Sequence, residues 1–581
     1  MAALLALFLI AFSTAELGRA EDFFPVSVWY GGGKARAPML VREPAREREA
    51  WRRDLKQIKA LGFNTVRMWA DWASTEPLRG QYRLDYLDQM MDLAEEAGLR
   101  VILQIYTDSA PEWLGARYPD AAFLTHLGAR ILSQASPGFC LDHPGVREDV
   151  GNFISALARR VQDRRAFHAF DLWSEPHIVN WVWMNFPVEF CFCPYTQQKF
   201  RDWLRQRYGG LERLNAAWYR TFSDWKQVEA PRYDTILSYT DFVDWKTFVA
   251  DKIEGDLKMK AEAARRVRRD FLTTSHSDVP GVLSNPVNGY GNGDDWHMYR
   301  AVDYYGTSLY PKHASSPQPW GAVRLAAALD GAYSASRGRG FYVGELQAGQ
   351  GVTGVRVAEP VTAADLRLWA LAAIAHGARA INYYAYYTMS SGYESNGYGL
   401  IELDGTLTER SKEAGRVAQV VSSNAALLLG AWPAPAEVGI VYNPLSYLTG
   451  GNTVGPGRSV RDSLLGLYRA FYERNIPVEF LHTDDLAAGD IQRLRRFKIL
   501  YLPYPLMLTS AAARGLTEYV GAGGTLVSEA RPAWNDERGF ANQRIPGAGL
   551  EQVFGAREAL LRAPESTELV LEAAAAVPGI K

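Results

Sequence analysis

The chain has 581 residues, with 63 Lys and Arg against 65 Asp and Glu, for a formal net charge of -2. Hydrophobic residues make up 48% and charged residues 22%, ordinary globular values that exclude disorder, collagen and coiled coil as the dominant state. A charge this balanced leaves no electrostatic footprint for nucleic acid, and the length supports several domains or one large barrel with additions.

At the start, Leu4 to Phe12 is a short apolar run followed by small residues and Gly18-Arg19-Ala20. This predicts a secretory signal over residues 1–20, and hence a secreted or periplasmic protein. The run is too short to span a bilayer, and no other stretch reaches the roughly 18 apolar residues that a span needs, so no membrane span is expected.

From residue 24 to about 428 one cadence repeats: an amphipathic helix, a stop at glycine, then an apolar strand. Trp51, Leu55, Ile58 and Leu61 follow helical spacing and Gly62 ends the helix. Leu87, Met90, Met91, Ala94 and Ala97 repeat the pattern before Gly98, and Leu368 to His376 does so before Gly377. The predicted strands are Val26 to Trp29, Phe63 to Trp69, Val101 to Tyr106, His168 to Trp173, Phe271 to Ser275, Val302 to Thr307, Phe341 to Glu345 and Ala380 to Tyr384. Continuous apolar strands alternating with helices imply a parallel sheet covered on both faces. Eight such units predict an α/β fold, a (β/α)8 TIM barrel, whose site lies at the C-terminal strand ends.

After Trp432-Pro433-Ala434-Pro435-Ala436, which reads as a linker, a smaller open α/β domain is expected over 436–581. Its strands are Val438 to Tyr442, Val478 to Leu481, Ile499 to Pro503 and Gly524 to Ser528, with helices at Ser463 to Arg474 and Ser510 to Val520. Its glycine cluster, 521–524, precedes a strand, whereas a phosphate cradle needs glycines between a strand and a helix N-terminus. The tail from Leu560 has no clear closing element, as in a chain cut short.

The strand ends supply the chemistry. Glu175 closes Asp171-Leu-Trp-Ser-Glu at the end of the fourth strand, and Pro176 stops the ladder there. Glu345 ends the seventh. Two carboxyl groups about 5 Å apart across a sugar are what a retaining glycosidase needs: one attacks the anomeric carbon, the other protonates the departing oxygen. The acid must keep its proton near neutral pH, through burial and its charged neighbour. The chain also holds 17 Trp and 30 Tyr, many just after strands, and flat apolar faces with a polar edge suit sugar rings. Arg67, Asp108, Trp173, Ser174, His276 and Tyr310 are the candidate substrate-binding residues, and His177 follows the acid. Glu76 and Glu112 read as loop or helix-start residues.

These motifs, together with Asn64-Thr-Val-Arg-Met68, Trp72-Ala-Ser-Thr-Glu-Pro77, Ala110-Pro-Glu-Trp113, Arg201-Asp-Trp-Leu204 with Tyr208-Gly-Gly-Leu211, and Leu371-Ala-Ala-Ile-Ala-His-Gly377, resemble glycoside hydrolase family 42, the β-galactosidases. The resemblance runs from about Trp29 to at least Ser528. It implies an exo-acting retaining β-glycosidase with β-D-galactosides as the leading substrate, Glu175 as acid/base, Glu345 as nucleophile and Arg67 on the nucleophile's side. The second domain looks like that family's trimerisation domain, which implies a homotrimer. The family's small third β domain is not evident.

Two departures stand out. Ser174 occupies the place where the family carries the asparagine that contacts the 2-hydroxyl, and a mannose-like axial 2-hydroxyl is one way to make a serine sensible. A β-mannoside, a β-glucoside or an internal polysaccharide bond are therefore alternative substrates. A non-catalytic carbohydrate-binding relative would have lost a carboxylate, and both are present. Cys140, Cys191 and Cys193 match part of a family zinc cluster, but Thr196 stands at the fourth ligand position. A structural zinc wants four closed ligands, so either an outside ligand such as His143 completes the set, or the site is a decayed one with free thiols or a Cys140 disulfide. Catalysis itself needs no cofactor.

Overall fold

The structure is a computed structural model that describes residues 22–34, 41, 43–132, 138–178, 189–233, 239–284, 293–314, 318–447 and 456–560. The expected leader, 1–20, and the tail beyond 560 lie outside the described residues. Eight parallel strands close into a barrel in which each pairs with its neighbours in sequence and β1 with β8. They are β1 (Val26–Trp29), β2 (Thr65–Asp71), β3 (Arg100–Tyr106), β4 (Phe167–Ser174), β5 (Thr273–Ser277), β6 (Tyr304–Leu309), β7 (Phe341–Gln347) and β8 (Ala378–Tyr384). The helices around them are α1 (Arg48–Leu61), α2 (Asp85–Ala97), α3 (Pro144–Val161), α4 (Pro194–Tyr208), α5 (Leu211–Trp218), α6 (Thr240–Arg265), α7 (Ala322–Ala335), α8 (Ala363–Ala375) and α9 (Glu409–Ser423). The apolar stripe read from the sequence is the packed face of α1, with Trp51, Leu55 and Ile58 fully buried.

Several strands begin two residues later than their composition predicts. Phe63 belongs to the cap of α1: Gly62 adopts φ 121°, and the Phe63 N–H donates to the Ile58 carbonyl at 3.3 Å, an αL-type helix ending that satisfies free carbonyls. Asn64 then bridges strands, its Oδ1 accepting the Val26 N–H at 2.9 Å, so β2 starts at Thr65. Asp303 similarly accepts the Thr273 N–H at 2.8 Å and delays β6. At the other ends, β2, β5, β6 and β7 run two residues further than expected.

Beyond the linker lies a four-stranded parallel sheet, β9 (Val438–Tyr442), β10 (Val478–His482), β11 (Ile499–Leu502) and β12 (Thr525–Ser528), in the order β10-β9-β11-β12. Helices α10 (Pro456–Tyr472) and α11 (Ser510–Gly521) flank it. The expected start of α10 at Ser463 is corrected to Pro456. The sheet packs on the barrel wall: the Phe480 N–H donates to Ser334 of α7 at 3.0 Å, Tyr468 donates to Asp330 at 2.5 Å, and Tyr442 stacks on Trp296 with centroids 4.9 Å apart. Among the described residues no helix is long and apolar enough to cross a membrane.

Candidate active site

The barrel interior is not wholly apolar. Ser27, Arg67, Asp171, His276 and Asn382 are fully buried there, and buried polar groups must find partners. Arg67 donates from Nε to Asp171 at 2.8 Å and from Nη1 to Glu345 Oε1 at 3.0 Å and the Gly344 carbonyl at 3.2 Å. Asn382 donates to the same carbonyl at 2.9 Å and accepts from Ser27 at 2.8 Å. Gly344 is required here: a Cβ would lie 2.1 Å from the His276 ring. Removing that side chain lets an imidazole sit directly beneath the following glutamate.

Glu345 lies within β7 and receives donors on both oxygens. Arg67 holds Oε1, with Ser174 Oγ further off at 3.4 Å, and the Tyr310 hydroxyl donates to Oε2 at 2.5 Å. Burial, and then Glu345 itself, push the Tyr310 phenol well above its ordinary range, so it remains a donor. His276 Nε2 is 3.2 Å from Ser174 Oγ and 3.9 Å from Glu345. Burial and the Arg67 charge hold this imidazole well below its usual pKa, hence neutral. Burial raises Asp171 to about 6 even though Arg67 pulls the other way.

Glu175 sits just past β4 with φ 49°, a left-handed conformation that costs a non-glycine residue about 1–2 kcal/mol and clusters at functional sites. Its N–H donates to the His276 carbonyl at 2.9 Å, and Ser308 donates to its Oε1 at 2.8 Å. Burial first, then the charges of Glu345 and Asp278, push its carboxyl well above the usual carboxylate range. One carboxyl is thus set to hold a proton while the other is paired with a guanidinium, the split in roles that paired-acid catalysis requires.

Aromatic rings from five strand ends wall the site. Trp69 stacks on Tyr106 at 4.7 Å, Trp29 meets Trp69 at 5.3 Å and Tyr384 at 5.5 Å, and Tyr310 meets Tyr398 at 5.6 Å. The indole N–H groups of Trp29 and Trp69 are buried and have no hydrogen-bond partner among the described residues.

Of the sequence-predicted residues, the structure gathers Glu175, Glu345, Arg67, Ser174, His276 and Tyr310. Two of these need correction as sugar contacts: Arg67 and His276 are fully buried beneath Glu345 and support the carboxylate. Trp173 and Asp108 lie to one side, lining a small cavity with Thr107 and His177. Lys260 of α6 stands 3.8 Å over the Trp173 ring and donates to Thr107 at 3.0 Å. Burial lowers that ammonium to about 8 and His177 to about 4. Glu76 is structural, accepting from the Trp72 indole and the Gly80 N–H, both at 2.6 Å. Sequence reasoning missed the roles of Asp171, Ser308 and Asn382. Asp171 opens the acid motif, but a bulge between Asp171 and Ser174 turns Ser174, not Trp173, inward beside it, so simple alternation does not reveal its place; Ser308 and Asn382 carry no comparable signal.

The three cysteines converge at the N-terminus of α4, their Sγ atoms all within 4.8 Å of one another. Cys140 and Cys193 are 3.6 Å apart, and Thr196 Oγ1 is 3.3 Å from each. Zinc–sulfur bonds of about 2.3 Å in a tetrahedron give edges of roughly 3.8 Å, close to the Cys140–Cys193 separation, with the Thr196 hydroxyl where a fourth nitrogen, sulfur or carboxylate ligand would stand. His143 as the outside ligand is corrected: its Nδ1 accepts from Gly145 and Val146 at 3.1 and 3.3 Å, capping α3. Instead Thr196 donates to Asp142 at 2.6 Å, and Asp142 is paired with Lys199 at 2.7 Å and Lys252 at 3.3 Å.

Comparison with known proteins adds to this geometry. The family model for the glycoside hydrolase family 42 β-galactosidases matches residues 43–423. The chain belongs to this family. The family's trimerisation-domain model matches residues 436–573 of the same family 42 chain. Among curated relatives, it is 26% identical over 523 residues to β-galactosidase LacZ of Heyndrickxia coagulans, covering 86% of this chain and 72% of that one. It is 24% identical over 486 residues to β-galactosidase BglY of Alicyclobacillus acidocaldarius, covering 82% of this chain and 66% of that one. The solved β-galactosidase of Rahnella sp. R3 shares the fold at a TM-score of 0.77 and 20% identity, covering 92% of this chain and 75% of that one.

Proposed function

We propose that this chain is a retaining exo-glycosidase acting on terminal β-D-galactosides, with Glu345 as nucleophile and Glu175 as acid/base. The observation that carries the reading is the contrast between the two carboxyls: Glu345 held by Arg67 and Tyr310, Glu175 buried and kept protonated. In the first step a Glu345 oxygen attacks the anomeric carbon, the glycosidic bond breaks, and the Glu175 proton passes to the departing oxygen. In the second, Glu175 takes a proton from water, whose oxygen displaces Glu345 and restores its carboxylate. The unpartnered indole donors of Trp29 and Trp69 and the aromatic wall suit a sugar ring. Ser174, bonded to His276 and short of the asparagine reach, favours one second reading, a β-mannoside substrate on the same machinery.

Further parts of the proposal rest on other features. A homotrimer would be assembled through the second domain, residues 1–20 would direct export, and Cys140, Cys191 and Cys193 would hold a structural zinc. The test of the central reading is a panel of aryl β-glycosides, galactoside, mannoside and glucoside, with Glu345→Gln as control. Galactoside turnover that the control abolishes supports it. Mannoside preference selects the second reading, and equal turnover in the control refutes both.

A further inference from the structure

Away from the active site, Asp251 and Glu254 lie one turn apart on α6, so helical spacing puts both carboxylates on one face. A short helical turn after β5, Asp295–Met298, brings His297 against that face. His297 Nδ1 is 4.0 Å from Asp251 Oδ1 and 3.9 Å from Glu254 Oε2. Both distances are too long for hydrogen bonds, and this buried nitrogen has no hydrogen-bond partner among the described residues. The other ring nitrogen, Nε2, lies 2.7 Å from Asp484 Oδ2 in the second domain. The second oxygen of Asp251 accepts the Trp203 indole N–H at 2.9 Å.

We propose that His297 Nδ1, Asp251 and Glu254 bind a divalent transition-metal ion of the zinc type where the barrel meets the second domain. The three ligand atoms lie within 4.8 Å of one another. A triangle with edges of 3.9, 4.0 and at most 4.8 Å has a centre no more than about 2.5 Å from each corner, a few tenths of an ångström beyond zinc–nitrogen and zinc–oxygen bonds of about 2.0–2.2 Å. Imidazole with carboxylates is a zinc-class donor set, and water fills the open positions. The outer contacts are those of a metal centre: the ligating imidazole gives its far N–H to a carboxylate, Asp484, and a ligating carboxylate is itself held, by Trp203. Against burial, Asp294 and Asp484 raise the His297 imidazole to about 9, yet a proton on Nδ1 stays 3.9–4.0 Å from both carboxylates and bonds neither.

The neighbouring His482 shows the contrast. Its Nε2 meets Asp294 at 3.1 Å and its Nδ1 accepts the Asp484 N–H at 2.9 Å, so neither nitrogen is left to ligate. Asp251, Glu254, Asp294 and Asp484 crowd this junction, with Arg300 3.7 Å from Asp484. An ion here ties α6 and the β5–β6 connection to the second domain through Asp484.

The test uses the full chain, stripped with a chelator and titrated with zinc chloride, with bound zinc counted by native mass spectrometry and followed by thermal unfolding. Wild type should bind one zinc more than either Glu254→Gln or His297→Gln, and zinc should raise its Tm by an increment that both variants lose. Zinc held by the three cysteines is common to all and cancels in the difference. Asp484→Asn keeps the ligands and should bind about 10–100-fold more weakly. Should His297→Gln fail to fold, Glu254→Gln, which keeps the side chain's shape, decides alone. Equal zinc counts and equal zinc-induced Tm shifts in wild type and Glu254→Gln would overturn the proposal.

Discussion

Replacing Tyr310 by phenylalanine isolates one contact to the reacting carboxylate. The hydroxyl donates to Glu345 Oε2 at 2.5 Å, while the ring is kept in place by Tyr398 at 5.6 Å and Tyr384 at 6.3 Å, so the packing survives the loss of one oxygen. Hydrogen bonds to charged groups are worth about 1.5–3 kcal/mol, and each 1.36 kcal/mol is tenfold in rate. The two chemical steps use the bond differently. In the first, Glu345 begins charged and loses charge to the sugar, so the donor favours the ground state. In the second, Glu345 departs as a carboxylate, and the donor stabilises the charge that develops. Tyr310→Phe should therefore slow breakdown of the glycosyl-enzyme most: kcat falls about 10- to 150-fold, KM falls with it, and a burst of aglycone appears in stopped-flow traces with an activated aryl galactoside. A fall in kcat with KM unchanged and no burst would refute this assignment of the hydroxyl, as would an unchanged kcat.

Other consequences follow from neighbouring residues. Glu175 is held protonated by burial and by Glu345, so activity as an acid is present below its folded-state pKa and lost as pH rises through it; Glu175→Gln should erase that alkaline limb in kcat/KM profiles and suffer far more with alkyl than with nitrophenyl leaving groups. Ser174→Asn restores the family residue beside the acid and should raise the ratio of galactoside to mannoside turnover; an unchanged or lower ratio would contradict the placing of this side chain at the sugar's 2-position. Lys260 is fully buried and burial lowers it from 10.5 to about 8. Between those values the unfolded chain holds a proton that the folded chain has released, so stability rises with pH. Measured by urea unfolding, wild type should gain on the order of 3 kcal/mol relative to Lys260→Met between pH 7 and about 11, and a flat difference would contradict the burial argument.

Much of this was legible from residue order alone, for identifiable reasons. Fully buried parallel strands must be apolar almost throughout, so stretches such as Val101 to Tyr106 announce themselves, and glycines such as Gly62 and Gly98 mark where helices stop. Glu175 and Glu345 are visible because a carboxylate ending such a strand breaks its pattern. What was hidden depends on packing across the barrel. Arg67 and His276 looked like sugar contacts because they lie toward the C-terminal ends of strands, yet the missing side chain at Gly344 lets His276 sit under Glu345, and Asp171 holds Arg67 down. Ser308 and Asn382 matter only because strands distant in sequence bring them to Glu175 and the Gly344 carbonyl. The His297 cluster was invisible for the same reason, since α6, the turn after β5 and β10 meet only in three dimensions.

The central claim is that Glu345 forms a covalent bond to the sugar. A 2-deoxy-2-fluoro-β-galactoside with an activated leaving group slows breakdown of such an intermediate, and mass spectrometry of the digested protein locates it. The account predicts stoichiometric labelling on the peptide that contains Glu345, with activity lost in step. Labelling of another residue, or full turnover of galactosides with inversion at the anomeric centre, would contradict it.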